Sequence, residues 1–164
     1  MRWLGPILLA GLVAALTYAA ALWATPHVIM AKAMDKLGAG GINTMRHQGL
    51  PTAESRFVVR PSPDLAYSIC VFDLAKGPVA IDAFVPPHRY WSLSVFDANT
   101  DNIFSVNDRA VSGHYALTLS KDGVGGSLAV PGGKGIALIR ILVTDAKDLA
   151  NIDALRRRST CAPA

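Results

Sequence analysis

The chain has 164 residues, of which 51% are hydrophobic and 17% charged, and a formal net charge of +4. This balance excludes an intrinsically disordered chain, and the presence of two cysteines excludes a disulfide-dense scaffold. The length suits one domain plus a membrane or export segment. It is too short for a doubly wound cofactor-binding fold, a kinase or a barrel enzyme.

The positive charge is concentrated at the two ends of the chain. Residues 61–155 carry seven basic and ten acidic side chains, so the prospective folded domain is mildly acidic. Binding of nucleic acid needs a basic face that neutralises phosphates, and we therefore expect no nucleic-acid partner. The arginine triplet at 156–158 is interpreted as the solvated end of a helix.

Residues 1–24 are predicted to form a transmembrane helix. No charged side chain occurs between Arg2 and Lys32, and the 22 residues from Trp3 to Ala24 make a helix roughly 33 Å long, against a hydrocarbon core of about 30 Å. Trp3 and Trp23 flank this run, and indole rings favour the two membrane interfaces. We therefore expect a single-pass inner-membrane protein with its C-terminal domain in the periplasm.

A cleaved signal peptide is the alternative interpretation of the same segment. Ala19-Ala20-Ala21 offers a small-residue cleavage site, and Leu22-Trp23-Ala24 offers a poorer one. The apolar region of a signal peptide is usually about 7–15 residues long, and this run is longer. The length favours a retained anchor, and both interpretations place the rest of the chain outside the cytoplasm if the amino terminus stays inside.

Residues 25–55 are predicted to form a short juxtamembrane helix followed by a linker. Met30, Met34 and Leu37 fall close to helical spacing, and the glycine-rich stretch at 38–41 would end the helix.

From residue 56 the hydrophobic period changes to two, which is typical of strands. The candidate strands are Leu65–Phe72, Pro78–Val85, Tyr90–Asp97, His114–Ser120, Ser127–Val130 and Gly135–Val143. Strands at this spacing without intervening helices indicate a mainly β domain over 56–158, an antiparallel sandwich or roll.

One C-terminal helix is predicted to close the domain, before a tail at 159–164. Asp145 can cap its amino end, and Leu149, Ile152 and Leu155 form its buried stripe.

A run of short motifs covers residues 56–158 in a fixed order. They are Arg60–Asp64, Tyr67-Ser68, Val71–Leu74, Gly77–Val79, Arg89–Ser92, Val95–Ala98, Asn102–Arg109, Arg140–Val143 and Asp145–Leu149. This run resembles the bacterial domain of unknown function 1254, with departures at Leu65-Ala66 and Asn107-Asp108.

The resemblance implies an exported or membrane-anchored all-β protein. Members of that family commonly occur beside a sister domain, domain of unknown function 1214, in one chain or as a neighbouring protein. The chain has no room for the sister domain, so a separate partner protein that carries it is expected. The family offers no agreed catalytic residues and implies no cofactor.

Several side chains are candidates for a ligand site, in which arginines would bind a carboxylate and aromatic rings would stack. These candidates are Tyr67, Arg89, Tyr90, Asp97, Arg109 and Arg140. Ordinary packing of strand residues is the alternative. Arg140 lies in an apolar strand and needs a carboxylate partner, for which Asp82 and Asp97 are candidates, because an unpaired buried charge costs several kcal/mol.

A weak calcium motif runs through Asp97, Asn99, Asp101 and Asp108, whose spacing follows a calcium-binding loop. A polar hairpin with Asx turns accounts for the same residues. We expect no other metal, since the spacing of a zinc site is missing from the sequence.

Cys70 and Cys161 could form one disulfide that ties the tail to the sheet in an oxidising compartment. The alternative is that Cys70 is a small core residue.

Taken together, these features favour a non-enzymatic, membrane-anchored envelope component that binds a partner. Gly11, Ala15 and Ala19 form a small-residue ridge suited to a helix partner in the bilayer, although chance spacing in an Ala-rich segment also accounts for it. One alternative is a periplasmic small-molecule or anion-binding domain, or part of a two-component enzyme with a sister-domain protein. A structural spacer without a site is another.

Overall fold

A computed structural model of the protein describes residues 3–52, 54–55 and 60–164. Its helices are α1 (Leu4–Gly38) and α2 (Ala146–Arg156). Its strands are β1 (Thr44–His47), β2 (Leu65–Asp73), β3 (Val79–Phe84), β4 (Trp91–Asp97), β5 (Asn102–Asn107), β6 (His114–Ser120), β7 (Leu128–Ala129), β8 (Lys134–Leu142) and β9 (Thr160–Pro163).

Helix α1 is one continuous helix of 35 residues, where the sequence predicted a membrane helix and a separate juxtamembrane helix. Pro26 lies inside it and supplies no N–H to the helical ladder. On either side of Pro26, the Thr25 hydroxyl donates to the Ala21 carbonyl at 2.7 Å and His27 Nδ1 lies 3.0 Å from the Trp23 carbonyl. The helix therefore runs through the proline without a break and is about 52 Å long.

The two ends of α1 have different surroundings. Every side chain from Leu4 to Trp23 is exposed, whereas Met30 and Ala33 are buried against the β domain. An 18-residue stretch of α1 has a mean hydropathy of 2.1, and the helix meets the length and apolarity of a membrane span. An N-terminal signal sequence meets the same two conditions.

The strands form two sheets, and the mainly β class predicted from the sequence is confirmed. The five-stranded sheet has the order β1-β2-β8-β4-β5 and is antiparallel throughout. The four-stranded sheet has the order β7-β6-β3-β9 and is mixed, because β7 runs parallel to β6.

Three strands lie outside those predicted from the sequence. β1 falls within the predicted linker, β9 within the predicted tail, and β5 follows the predicted turn at 99–102. The first two have only four residues each, too few to display a period of two. In β5 the register slips between Val95 and Phe96 of the neighbouring strand, so Ile103 and Phe104 both pack against the core and break the alternation.

Buried residues from both sheets form one hydrophobic cluster. Phe72 and Ile139 come from the five-stranded sheet, Ile81 and Leu119 from the four-stranded sheet, and Trp91 is the largest of the fully buried side chains. A second, smaller cluster lies on the opposite face of the five-stranded sheet, beneath α1.

Helix α2 begins where the sequence predicted it. The Asp145 carboxylate accepts a hydrogen bond from the Asp148 N–H at 2.9 Å, and Ile152 is buried while Leu149 and Leu155 are half-buried. The interpretation of 156–158 as a solvated end is wrong for Arg156, which is 1% exposed.

Candidate functional site

The candidate site is the face of the five-stranded sheet that points away from the main core, hereafter the outer face. Because side chains alternate along a strand, Ala66, Cys70 and Phe72 point into the core while Tyr67 and Ile69 point to the outer face. The last three turns of α1 lie on this face and cover part of it through Met30, Ala33, Met34 and Leu37.

An apolar groove of about 720 Å³ remains open between α1 and the outer face. Its walls and floor include Ile29 and Leu37 from α1, Leu50 and Pro61 from the segment before β2, and Ile69 and Leu138 from the sheet. This volume is within the range of about 300–1,000 Å³ that is usual for small-molecule sites.

A row of polar side chains crosses the outer face beside this groove. Arg140 of β8 is paired in register with Tyr67 of β2 on one side and with Ser92 of β4 on the other. The Arg140 guanidinium donates from Nη2 to Ser94 Oγ at 3.0 Å. Its Nε and the Ser92 hydroxyl are buried, and neither has a hydrogen-bond partner among the described residues.

The predicted ion pair of Arg140 with Asp82 or Asp97 is wrong. Asp82 lies 3.1 Å from His114 Nε2, on the other sheet. The Asp97 carboxylate is directed at its own hairpin and accepts from the Asn99 and Asp101 N–H groups at 2.8 and 3.0 Å. Within the described residues, Arg140 has no carboxylate within 4.0 Å.

The remaining ligand candidates do not converge on Arg140. Arg89 forms an ion pair with Asp148 of α2 and donates to the Leu142 carbonyl at 3.2 Å, so it joins the sheet to the helix. Tyr90 is 43% exposed and Arg109 is exposed in the turn after β5. Of the six candidates, Tyr67 and Arg140 share the outer face, by strand alternation.

A buried guanidinium that the sequence analysis missed lies at the end of α2. Arg156 donates from Nη1 to the Tyr67 carbonyl at 2.7 Å, from Nη2 to the Gln48 carbonyl, and from Nε to Asp153 at 2.6 Å. It thereby joins α2 to the segment after β1 and to β2. The Asp153 carboxylate three residues earlier is the sequence signal that distinguishes it from Arg158.

Comparison with known proteins gives a family. The profile of the family described as "Protein of unknown function (DUF1254)" matches residues 42–163. The chain belongs to this family. The match begins just before the strand β1, which the sequence analysis left in a linker, and it ends at the last residue of β9, so both strands belong to the family domain. No curated protein matches the chain.

Two solved structures share features of this DUF1254 chain. The VPA0106 protein from Vibrio parahaemolyticus superposes with a TM-score of 0.68 at 13% identity, covering 88% of this chain and 37% of that one. A putative uncharacterized protein from Burkholderia cenocepacia has a TM-score of 0.47 at 15% identity, covering 63% of this chain and 32% of that one. The chain thus spans about a third of the length of either protein.

The calcium motif does not assemble in the DUF1254 domain. Asp97 ends β4, whereas Asp108 follows β5 and its N–H donates to the carbonyl of Trp91, at the other end of the hairpin. The two ends are those of the seven-residue strand β4 and lie about 20 Å apart. The loop at 97–101 is the Asx-type hairpin turn, and the described residues contain no group of three or more His, Cys, Asp or Glu placed to hold a metal.

The two cysteines are joined in a disulfide, with their Cα atoms 6.3 Å apart. Cys70 lies in β2 and Cys161 in β9, so the bond links the five-stranded sheet to the four-stranded one. The alternative of an isolated core cysteine does not describe this structure.

His47 is expected to make the fold sensitive to mild acid. Its Nδ1 lies 2.8 Å from the Ser68 hydroxyl. Burial, reinforced by the charges of Arg156 and Arg157 and opposed by Asp153, lowers the pKa of His47 below its ordinary value of 6.5. The unfolded chain therefore takes up this proton at a higher pH than the folded chain does.

The stabilising contribution of neutral His47 is complete above about pH 6.5, the pKa in the unfolded chain. It is lost as the pH falls from there through the lowered pKa of His47 in the folded chain. Denaturant unfolding at pH 7.5 and pH 5.0 should therefore show a smaller loss of stability in His47→Gln than in the unchanged protein. An equal loss in both proteins would show that the imidazole does not titrate with folding.

Proposed function

We propose that this chain is a membrane-anchored envelope protein that binds a partner protein and acts as a non-enzymatic accessory component. Helix α1 would retain the chain in the inner membrane, with the β domain in the periplasm. The observation that carries the proposal is the continuity of α1, which is exposed and apolar from Leu4 to Trp23 and packed on the β domain from Met30 onward.

That continuity would hold the domain at a fixed height above the bilayer. A span of about 20 residues crosses the hydrocarbon core, which leaves the last turns of the helix outside it. Met30 and Ala33 are seated on the outer face only about 10–15 Å beyond Trp23 along the helix axis. A domain attached in this way meets partners that are themselves at the membrane surface.

The disulfide supports the periplasmic side of the proposal. Disulfides persist in oxidising compartments such as the periplasm and are rare in the cytosol. Cys70 and Cys161 are both buried, which suits a structural bond. We also infer that the two sheets are the layers of a sandwich, since this bond and the main hydrophobic cluster both join them.

The chemistry of the charged side chains favours binding over catalysis. Arg89 is engaged by Asp148 and Arg156 by Asp153, while the Asp97 carboxylate accepts from its own hairpin. These groups hold elements of the fold together. The expected partner is a protein that carries the sister domain.

Affinity purification of the tagged full-length chain from detergent-solubilised membranes tests the proposal. We expect an uncleaved bait, by intact mass, with a sister-domain protein in stoichiometric amount. A bait whose exposed helix residues 4–23 are exchanged for an unrelated membrane span is the matched control, and it should retain that partner if the β domain binds it. A bait that lacks residues 1–21 or 1–24, or that elutes alone, would overturn the proposal.

Binding of a small anionic molecule is the second candidate function. It is favoured by the groove and by Arg140, which lies beside the groove without a carboxylate partner among the described residues.

A further inference from the structure

We propose that the groove holds the hydrocarbon chain of a long-chain fatty acid and that Arg140 binds its carboxylate. Such a ligand differs in kind from the protein partner proposed above, so either proposal can fail alone. The inference rests on four features of the outer face: the apolar groove, the uncompensated arginine, a tyrosine that lines the groove and is the register partner of that arginine, and the apolar helix that leads to the groove.

The groove has the lining that a hydrocarbon chain requires. Ile69 and Leu138 form part of its floor, and Ile29 and Leu37 line the side formed by α1. Burial of every methylene is favourable, so a long hydrocarbon chain gains more from such a surface than a small polar metabolite does. A hydrocarbon ligand removes this apolar surface from water, which favours its binding.

Arg140 carries a positive charge that the protein leaves unbalanced. Among the described residues its guanidinium donates to Ser94 Oγ, and its Nε has no partner. The residues outside the described ranges contain no Asp or Glu, so the chain has no further carboxylate to offer there. A half-buried guanidinium without a counter-charge is unfavourable, and a bound anion offsets this cost. The planar N–H donors of arginine match the two oxygens of a carboxylate.

Tyr67 connects the charged group to the groove. It lines the groove and is the register partner of Arg140 on the neighbouring strand. Its hydroxyl accepts a hydrogen bond from the Ser62 N–H at 2.9 Å, which leaves the phenolic proton free to donate. Arg140 lies two residues after Leu138 in β8, a distance of about 7 Å along the strand. One fatty acid can therefore place its carboxylate at Arg140 and its hydrocarbon chain on Leu138.

The position of α1 indicates where such a ligand enters. Ile29 is 48% exposed and lines the groove, and the helix before it exposes apolar side chains as far as Leu4. If that stretch lies in a membrane, as we propose, the groove opens close to the bilayer surface. A fatty acid leaving the bilayer would meet apolar surface from the membrane to the groove.

Palmitate and hexadecanol provide a matched pair of probes, because they share a chain and differ in the charged head. The full-length protein is placed in nanodiscs of neutral lipid, empty nanodiscs give the background, and binding is measured by displacement of a fluorescent fatty acid. We expect palmitate to bind at least about 10-fold more tightly than hexadecanol, as a charge-assisted hydrogen bond contributes this much.

Substitutions then assign the head and the chain to their sites. Arg140→Met should remove the preference for palmitate. Lys121 is an exposed cation just after β6, and Lys121→Met should leave the preference unchanged. Tyr67→Phe should weaken palmitate binding and spare hexadecanol. Leu138→Trp, which fills the floor, should weaken both, and thermal unfolding without ligand checks that each variant is folded.

The proposal is overturned if folded wild-type protein binds palmitate and hexadecanol equally, or binds neither. It is also overturned if folded Arg140→Met keeps the preference for palmitate. Groove residues that become protected only by a co-purifying protein would assign the groove to that partner. The two proposals fail separately. A bait that elutes without a partner but still prefers palmitate to hexadecanol would contradict partner binding and leave the fatty-acid site in place.

Discussion

Replacing Arg156 by methionine is expected to lower the free energy of unfolding by about 3–5 kcal/mol, the usual cost of removing one member of a buried charged network. The side chain is 1% exposed and donates to the carbonyls of Tyr67 and Gln48. Methionine preserves much of the volume, so the loss reports hydrogen bonding and charge more than a cavity. The carbonyls of two segments would be left without their donor in a buried place.

Arg157 provides the matched control for this prediction. It is the next residue, with a 63% exposed side chain, and contacts the same Asp153 at 3.6 Å. Arg157→Met should cost no more than about 0.5 kcal/mol, because exposed ion pairs contribute little. Equal losses in the two variants, measured by denaturant unfolding, would mean that the Arg156 contacts are not what holds α2 to β2.

This contrast also marks a limit of sequence analysis. Three consecutive arginines at the end of a helix have the same side chain, and Asp153 is within helical reach of both Arg156 and Arg157, so the local sequence does not separate these two. Only the rotation of α2 on the domain decides which of them faces Gln48 and Tyr67, residues remote in the chain. The strands at 65–73, 79–84 and 91–97 were predictable because the alternation of side chains between the two faces of a strand depends only on neighbouring residues in the sequence.

The candidate site was less predictable than the strands. The sequence identified Tyr67 and Arg140 as ligand candidates, and they are register partners. It also paired Arg140 with Asp82 or Asp97, because an arginine in an apolar strand needs a counter-charge. In the structure, Asp82 lies beside His114 and Asp97 accepts from its own hairpin. The groove could not be predicted from the sequence, because it forms only where α1 and the segment before β2 meet the sheet.

Loss of the disulfide is expected to destabilise the folded chain by about 4–5 kcal/mol. Cys70 and Cys161 are separated by 91 residues, and the chain entropy that such a link removes from the unfolded state corresponds to this range. For a domain of this size the melting temperature should fall by roughly 10–20 °C. Cys161→Ala and Cys70→Ala should each give this result in thermal unfolding under oxidising conditions.

The reductant response provides the control for the disulfide prediction. Dithiothreitol should lower the melting temperature of the unchanged protein towards that of the variants and leave the Cys70→Ala/Cys161→Ala double variant unaffected. A small effect of reductant on the unchanged protein would mean that native packing alone holds the sheets together. Hydrogen exchange locates the loss, and it should appear first in β9, an edge strand of four residues bonded to β3.

The order of these losses follows from the way β9 is held. Its backbone pairs with β3 on one side, and the Ala164 N–H adds a bond to the Pro78 carbonyl at 3.0 Å. Cys161 is its buried side chain, and the disulfide links this strand covalently to the opposite sheet. A chain folded in a reducing compartment would lack that link, which makes stability before and after reduction a direct test of whether the protein is built for the periplasm.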